Sequence, residues 1–226
     1  MKKILIYDCE IIKAIRDPKK VDLAHIEYCN GWDDYENMGI SVIGVNCIDK
    51  NDGFDLISNH NLLHNTLDKF QFGLHGVDVL VGFNNQSFDD KLLKANGFVI
   101  PESVINYDLL AEIWEGAGLG REFVYPTHAG FGLDAICKAN GLGEKSGDGA
   151  NAAILWQKGK HQEVIDYCEN DIKLTRKLFD LIQEKGEIKD PREDNFYFKK
   201  YNPDFVFKPI KVRKLEELIG EIRWKE

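Results

Sequence analysis

Two carboxylates interrupt an apolar run near the amino end of the chain. The run extends from Ile4 to Ile12, and its β-branched residues predict a buried strand with Asp8 and Glu10 inside it. Alternate residues of a strand point to the same face, so both carboxylates are expected to face the same way. Burying them unpaired is unfavourable because each loses its hydration and the two charges repel. A divalent cation would remove both penalties, so the pair predicts a metal site.

Two further acids lie where they could complete such a site. Asp89 follows the segment Gly82-Phe83-Asn84-Asn85-Gln86-Ser87-Phe88, where an apolar strand ends and a helix begins. Ligand groups often collect at such points in α/β sheets. Asp171 lies in a long helix, four residues after Tyr167, and this spacing places both side chains on one face. The alternative for the first position is that Ser87 or Asp89 only caps the helix.

In this order, the patterns resemble the motifs of a known enzyme family. Asp8-x-Glu10, Asn84-x-x-x-Phe88-Asp89 and Tyr167-x-x-x-Asp171 are similar to the three exonuclease motifs of the DnaQ-like (DEDD) superfamily, in its tyrosine branch. The second pattern is especially similar to that of the proofreading domains of family-B DNA polymerases. The resemblance covers roughly residues 1–185. It implies an RNase H-like fold and hydrolysis of a nucleic-acid strand in the 3′→5′ direction.

The resemblance also implies a role for each residue. Hard oxygen ligands favour Mg²⁺ or Mn²⁺ over zinc, and two such ions are expected. Tyr167 would orient the attacking water, while Asn84 and Phe88 would contact the substrate. The expected metal ligands, which with Tyr167 are also the expected catalytic residues, are Asp8, Glu10, Asp89 and Asp171.

The third motif has a competing assignment. A sister branch of the family carries His-x-x-x-x-Asp there, and His161 and Asp166 match that pattern. Asp166 and Asp171 are about 140° apart around a helix, so both cannot face one site. The apolar residues that follow Asp171 favour the tyrosine assignment, because a catalytic helix must pack on the core. The histidine alternative remains open at this point.

The elements that must position these residues predict an α/β fold. We expect a mixed sheet of three antiparallel strands followed by parallel strands, flanked by helices. A long polar segment, 13–37, is expected to be a functional loop. The predicted strands are 4–12, 40–48, 54–57, 77–83 and 104–107, with a turn at 51–53. The predicted helices are 61–71, 87–96, 109–115, 133–140, 152–158, 161–185 and 212–223.

The carboxyl end of the chain has a different character. We predict an exonuclease domain over residues 1–187 and a basic, aromatic extension over 188–226. Lysines and aromatic residues alternate in 196–214, where the single acid is Asp204. This segment could contact nucleic acid by phosphate contacts and stacking, with Lys199 and Lys200 as the named candidates. The alternative is that the aromatics pack the extension on the domain while the lysines are solvated.

Composition narrows the class of protein. The chain has 226 residues, a formal net charge of −9 and five cysteines. An odd cysteine count without a Cys-x-x-Cys pair argues against a disulfide framework and against a structural zinc site. No apolar run is long enough to span a membrane and no signal-peptide pattern follows Met1, so we expect a soluble, cytoplasmic protein with no membrane partner. With this net charge, nucleic acid must be held by metal ions and local basic patches.

These observations predict a metal-dependent 3′→5′ exonuclease. DNA is favoured over RNA because of the polymerase-like second motif, and the expected substrates are single strands or 3′ ends that release nucleoside monophosphates. The alternatives are an RNA exonuclease of the same fold and a non-catalytic nucleic-acid-binding module. A proofreading module that docks on a polymerase is a further alternative.

Overall fold

Two compact units make up the protein. The first comprises Met1–Asn106 and Ser146–Ile172, and the second comprises Tyr107–Lys145 and Lys173–Glu226. The predicted division after residue 187 stays a prediction. The computed structural model describes residues 2–17, 19–48, 54–58, 74–147 and 149–223.

The described residues form the following elements. The strands are β1 (Ile4–Ile11), β2 (Ala14–Ile15), β3 (Tyr28–Cys29), β4 (Ile40–Ile48), β5 (Phe54–Ser58), β6 (Val79–Gly82), β7 (Ile105–Asp108), β8 (Glu187–Ile188) and β9 (Ile210–Lys211). The α-helices are α1 (Tyr35–Met38), α2 (Asp89–Ala95), α3 (Leu109–Gly116), α4 (Leu133–Ala139), α5 (Gly149–Gln157), α6 (His161–Lys185), α7 (Phe196–Tyr201) and α8 (Leu215–Arg223). A short 3-10 helix spans Pro191–Asp194.

A five-stranded mixed sheet contains the first strand. Its order is β5-β4-β1-β6-β7. Strand β1 is antiparallel to β4, β4 is antiparallel to β5, and β1 runs parallel to β6. The register sets Asp8 opposite Gly44 and Glu10 opposite Val42. The predicted fold class, with antiparallel strands followed by a parallel one and flanking helices, is confirmed.

The odd-numbered residues of β1 face a hydrophobic core in the first unit. Leu5, Tyr7, Cys9 and Ile11 are all buried there, together with Leu92 and Leu93 of α2 and Ile43 of β4. This alternation is the reason the even positions Asp8 and Glu10 share the other face. The apolar content of α2 therefore holds its first turn, which begins with Asp89, against the strand that carries the first two acids.

The segment 13–37 is more structured than the predicted loop. Strands β2 and β3 pair in parallel within it, and α1 follows them. The side chain of Gln157 fastens the segment to α5: its Nε2 donates to the carbonyl of Ile12 at 2.9 Å, and its Oε1 accepts from the N–H of Glu27 at 2.6 Å. Two-residue strands are too short to produce a periodic sequence pattern, which is why they were not predicted.

Other boundaries differ from the sequence-based prediction by a few residues. Helix α2 begins two residues later than predicted, α5 begins three residues earlier, and α8 begins at Leu215 instead of residue 212. The predicted turn at 51–53 and the predicted helix at 61–71 lie outside the described residues.

The second unit contains two charged clusters. The buried carboxylate of Glu112 in α3 accepts hydrogen bonds from Arg213 and from Arg121, each at 2.8 Å. The guanidinium of Arg192 is held by Asp190 at 2.7 Å and lies 4.9 Å from the ring centre of Phe198. Side chains of the 196–214 segment therefore pack within this unit.

Candidate active site

Strand β1 and helix α6 place three potential metal ligands together. The ligand atoms of Asp8, Glu10 and Cys168 all lie within 4.8 Å of one another. The sulfur of Cys168 is 3.8 Å from Oδ2 of Asp8. Asp8 is half-buried, and the other two are buried. Carboxylate oxygens at this separation fit a divalent cation, since they would otherwise repel each other in a partly dry site.

Cys168 was not expected at this position. Its place on the apolar stripe of the long helix predicted a core residue. Burial first, and then the charges of Asp8 and Glu10, raise the pKa of its thiol well above the ordinary value. The thiol is therefore a neutral group beside the carboxylates. Its one available sequence signal was its position directly after Tyr167.

Asp89 reaches the site through a turn at the end of β6. Asn84 adopts a left-handed φ of 66°, which asparagine tolerates better than most residues. Its carbonyl accepts hydrogen bonds from the N–H groups of Ser87 and Phe88 at 3.2 and 3.1 Å, which turns the chain into α2. Oδ1 of Asp89 then accepts from the backbone N–H of Cys9 at 2.9 Å. The capping alternative is not observed, because no side chain caps α2.

The environment of Asp89 is unfavourable for a negative charge. The side chain is 4 % exposed. Burial, followed by the charge of Asp8, raises the pKa of Asp89 well above its usual range, although the hydrogen bond from Cys9 opposes this effect. A bound cation would reverse the balance, so the donor set of this site fits a metal ion.

Helix α6 separates the two candidate third motifs. Tyr167 and Asp171 are 7 % and 4 % exposed, whereas Asp166 is exposed and accepts a 2.8 Å hydrogen bond from Gln162. The charge of Asp171 is among those that raise the pKa of the Cys168 thiol, after burial and the charges of Asp8, Glu10 and Cys9. Asp171 is thus close to Asp8 and Glu10, which together with Asp89 we call the acidic cluster.

The rival histidine lies at the beginning of α6. The ring of His161 packs against Trp156, with the ring centres 4.2 Å apart. The structure therefore brings Asp8, Glu10, Asp89 and Asp171 into one region and leaves Asp166 at the surface.

Two glycines make room for Tyr167. A Cβ atom at Gly149 would lie 3.3 Å from the Tyr167 hydroxyl, and one at Gly147 would lie 3.3 Å from its ring. Both distances are tighter than ordinary van der Waals contact. The close contact of Tyr167 with Gly147 and Gly149 thus limits the positions that its phenol ring can take.

Phe88 belongs to an aromatic cluster. Its ring makes edge-to-face contacts with Trp32 at 6.2 Å and with Tyr35 at 5.9 Å between centroids. The hydroxyl of Tyr35 donates to the carbonyl of Ser87 at 3.0 Å. Trp32 remains 67 % exposed. The 13–37 segment therefore covers one side of Phe88 while presenting an indole to solvent.

Lys199 and Lys200 lie in the second unit, in the last turn of α7, and both are exposed. The aromatic residues around them divide into two groups. Phe198, Phe205 and Phe207 pack on one another, with centroid separations of 4.9 to 5.9 Å. The others, with exposed fractions of 70 to 74 %, are Phe196, Tyr197 and Tyr201. Both roles predicted for this segment, nucleic-acid contact and packing on the domain, stay predictions.

Comparisons with known proteins identify the fold. No described protein family and no curated protein matches the sequence. The structure is similar to the family B DNA polymerase of the hyperthermophilic archaeon Pyrobaculum calidifontis, with 15 % identity and a TM-score of 0.55 over 80 % of this chain and 24 % of the polymerase. No helix in the described part of the chain is long and apolar enough to cross a bilayer.

Two structures of E. coli exonuclease I also match. The zinc-bound complex with single-stranded DNA has 13 % identity and a TM-score of 0.46, covering 98 % of this chain and 45 % of that one. An oligonucleotide complex has 11 % identity and a TM-score of 0.42, covering 88 % and 42 %. The chain spans less than half the length of each of these proteins. At these identities the likeness to the polymerase establishes the fold, and the chain has the RNase H-like fold that its resemblance to polymerase proofreading domains predicted.

Proposed function

We propose that the chain is a metal-dependent 3′→5′ exonuclease that releases nucleoside monophosphates from DNA, acting on single strands or 3′ ends. The observation that carries the proposal is that acids from three separate elements share one region. Ligand atoms of Asp8 and Glu10 from β1 lie within 4.8 Å of each other, and the charge of Asp8 acts on Asp89 of α2. Asp171 of α6 acts on the same Cys168 thiol as Asp8 and Glu10. Burying carboxylates of like charge close together lowers the stability of the fold, and such groups are found mainly at functional sites.

The four acids would hold two Mg²⁺ or Mn²⁺ ions, because carboxylate oxygens are the ligands that these ions prefer. When bound, the ions would neutralise the carboxylates and lower the pKa of a water molecule, as phosphodiester hydrolysis at neutral pH requires. The raised pKa of Asp89 supports this assignment, since it marks a carboxylate that lacks compensating charge within the chain. The neutral thiol of Cys168 adds no further negative charge.

Tyr167 would hold the attacking water by its hydroxyl. The phenol can both donate and accept a hydrogen bond, and Gly147 and Gly149 allow the ring to lie against the start of α5. Its spacing of one helical turn from Asp171 keeps it beside the acidic cluster.

The substrate would be held by stacking and by phosphate contacts. Phe88 directly precedes Asp89, and the exposed Trp32 that packs on it would stack with a base near the 3′ end. Asn84, at the turn before α2, would contact the same end of the strand. Lys199 and Lys200 would contact nucleic-acid phosphates.

One panel of end-labelled substrates tests the proposal. Single- and double-stranded DNA and RNA are incubated with Mg²⁺, Mn²⁺ or EDTA, using wild type and the Asp8→Asn variant. A ladder from the 3′ end of DNA, lost in EDTA and in the variant, is the expected result. Endonucleolytic products, or full activity in EDTA, would contradict the mechanism. A ladder on RNA alone would keep the mechanism and change the substrate.

A further inference from the structure

A partly buried hydrogen-bond network lies directly beside the acidic cluster. The hydroxyl of Tyr7 donates to Oδ1 of Asp90. Nδ2 of Asn106 donates to Oδ2 of the same carboxylate at 2.6 Å. Nδ2 of Asn85 donates in turn to Oδ1 of Asn106 at 2.7 Å. Tyr7 and Asn85 are 1 % and 0 % exposed, whereas Asp90 and Asn106 between them are half-buried.

Two members of this network, Tyr7 and Asp90, are sequence neighbours of proposed metal ligands. Tyr7 precedes Asp8 in β1, and Asp90 follows Asp89 in the first turn of α2. The N–H of Cys9 binds Asp89 on the other side of Asp8. Two hydrogen bonds from consecutive odd positions of β1 therefore hold the two consecutive acids of α2.

The contacts on Asp90 fix its orientation. Both carboxylate oxygens receive donors, so the group has one favourable rotamer. Burial raises the pKa of Asp90, and the hydrogen bonds from Tyr7 and Asn106 oppose this. A polar network of this kind contributes little net stability compared with apolar packing, but donors on both oxygens favour one orientation of the carboxylate.

We propose that Tyr7, Asp90 and Asn106 are positioning residues that fix the first turn of α2 relative to β1, and so set the separation of the Asp8 and Asp89 carboxylates. Their role in hydrolysis rests on the proposed function, whereas their role in metal affinity can be tested without it. Partners that orient metal ligands typically change metal affinity or activity about 10- to 100-fold.

Tyr7→Phe removes the hydroxyl and retains the ring. Tyr107→Phe is the matched control: its hydroxyl is also buried and also donates a hydrogen bond, to the carbonyl of Arg213 in the second unit. We expect Tyr7→Phe to bind Mn²⁺, measured by the electron paramagnetic resonance of the free ion, about tenfold more weakly. Its kcat should fall with little change in KM. Tyr107→Phe should bind Mn²⁺ as the wild type does.

Asn106→Ala provides a second way to remove one contact, should Tyr7→Phe fail to fold. The single variant Asp90→Asn and the double variant Tyr7→Phe/Asp90→Asn test whether Tyr7 acts through Asp90. If it does, the double variant should bind Mn²⁺ no more weakly than whichever of the two single variants, Tyr7→Phe or Asp90→Asn, binds Mn²⁺ less tightly. Wild-type Mn²⁺ affinity in Tyr7→Phe and Asn106→Ala, an equal loss in Tyr107→Phe, or no Mn²⁺ binding by the wild type would overturn the proposal. A wild type that binds Mn²⁺ but cleaves no nucleic acid would refute the proposed function alone.

Discussion

The backbone N–H of Cys9 donates a 2.9 Å hydrogen bond to Oδ1 of Asp89, although the two residues are 80 positions apart in the sequence. This contact joins the strand that carries Asp8 and Glu10 to the helix that begins with Asp89. It also brings Asp89 within the field of Asp8, whose charge, after burial, raises the pKa of Asp89. The stability of the metal-free protein should therefore depend on the protonation of this one carboxyl.

Asp89→Asn should change how the stability of the metal-free protein depends on pH. An unfolded aspartate has a pKa near 3.9, and the folded value is raised. The folded state thus binds more protons, so this group contributes stability that is present below about pH 3.9 and is lost as pH rises through the folded pKa. Asn cannot ionise and retains the acceptor for Cys9. In EDTA, the variant should melt above the wild type at neutral pH, with a difference that shrinks toward pH 4.

Melting curves across the pH range, with and without Mg²⁺, measure this effect. Adding Mg²⁺ should raise the melting temperature of the wild type more than that of Asp89→Asn, because a bound ion stabilises the folded state by mass action. Asp166→Asn is the control, since Asp166 is exposed. Parallel pH curves for wild type and Asp89→Asn would show that the buried carboxyl is compensated within the chain.

The two candidate third motifs predict opposite results for two isosteric changes. Asp171 is buried near the acidic cluster, so we expect it to bind metal directly. Replacing a residue that only orients a metal ligand costs up to about 100-fold. Asp171→Asn should lower kcat for Mg²⁺-dependent hydrolysis by more than that. Asp166→Asn should leave kcat within about twofold, because it alters an exposed hydrogen bond to Gln162. Steady-state cleavage rates decide between them. An inactive Asp166→Asn beside an active Asp171→Asn would restore the histidine assignment.

Gly149→Ala should affect catalysis through Tyr167. The added methyl group would lie 3.3 Å from the phenolic oxygen, so the ring must move by a few tenths of an ångström. Because a 1 Å displacement can cost about 100-fold in rate, we expect a severalfold loss of kcat. Gly220→Ala in α8 is the control: its methyl group would meet nothing within 4 Å. It should leave kcat unchanged. A normal kcat in Gly149→Ala would argue against a role for the phenol position.

The sequence predicted the elements whose patterns are long. Helix α6 begins and ends at the predicted residues, 161 and 185, because its apolar stripe repeats over seven turns. Strand β1 was predicted from its β-branched run and its two interrupting acids. By contrast, the pair formed by β2 and β3 involves two residues from each strand, which is too few to give a periodic signal.

The parts of the site that the sequence did not predict depend on contacts between distant residues. Asp90 follows a motif acid and looks like an ordinary residue of the first helical turn, but it is the partner of Tyr7, 83 positions away. Cys168 looks like a core residue of α6, and its place beside Asp8 follows from how that helix packs against β1. Motif spacing can predict candidate ligands, whereas the contacts that support those residues depend on the fold.

Lys199 and Lys200 should contribute to the salt dependence of DNA binding if α7 contacts the strand. Each phosphate contact on a single strand contributes about −0.7 to the slope of log affinity against log salt. Lys199→Gln/Lys200→Gln in the inactive Asp8→Asn background should therefore flatten the slope by about 1.4. Fluorescence anisotropy of a labelled oligonucleotide over a salt series measures it.

The control for this experiment is Lys138→Gln/Lys189→Gln, which changes the net charge equally. These two lysines are already paired with acids, Lys138 with Asp134 at 2.9 Å and Lys189 with Asp194 at 3.2 Å. Their removal should leave the slope nearly unchanged.

Phe196, Tyr197 and Tyr201 expose most of their surface beside Lys199 and Lys200. Their replacement by alanine should weaken binding by about 1–3 kcal/mol per stacked base without altering the slope. An unchanged slope in the Lys199/Lys200 variant would assign these lysines to solvent, and normal affinity in the aromatic variants would exclude stacking on α7.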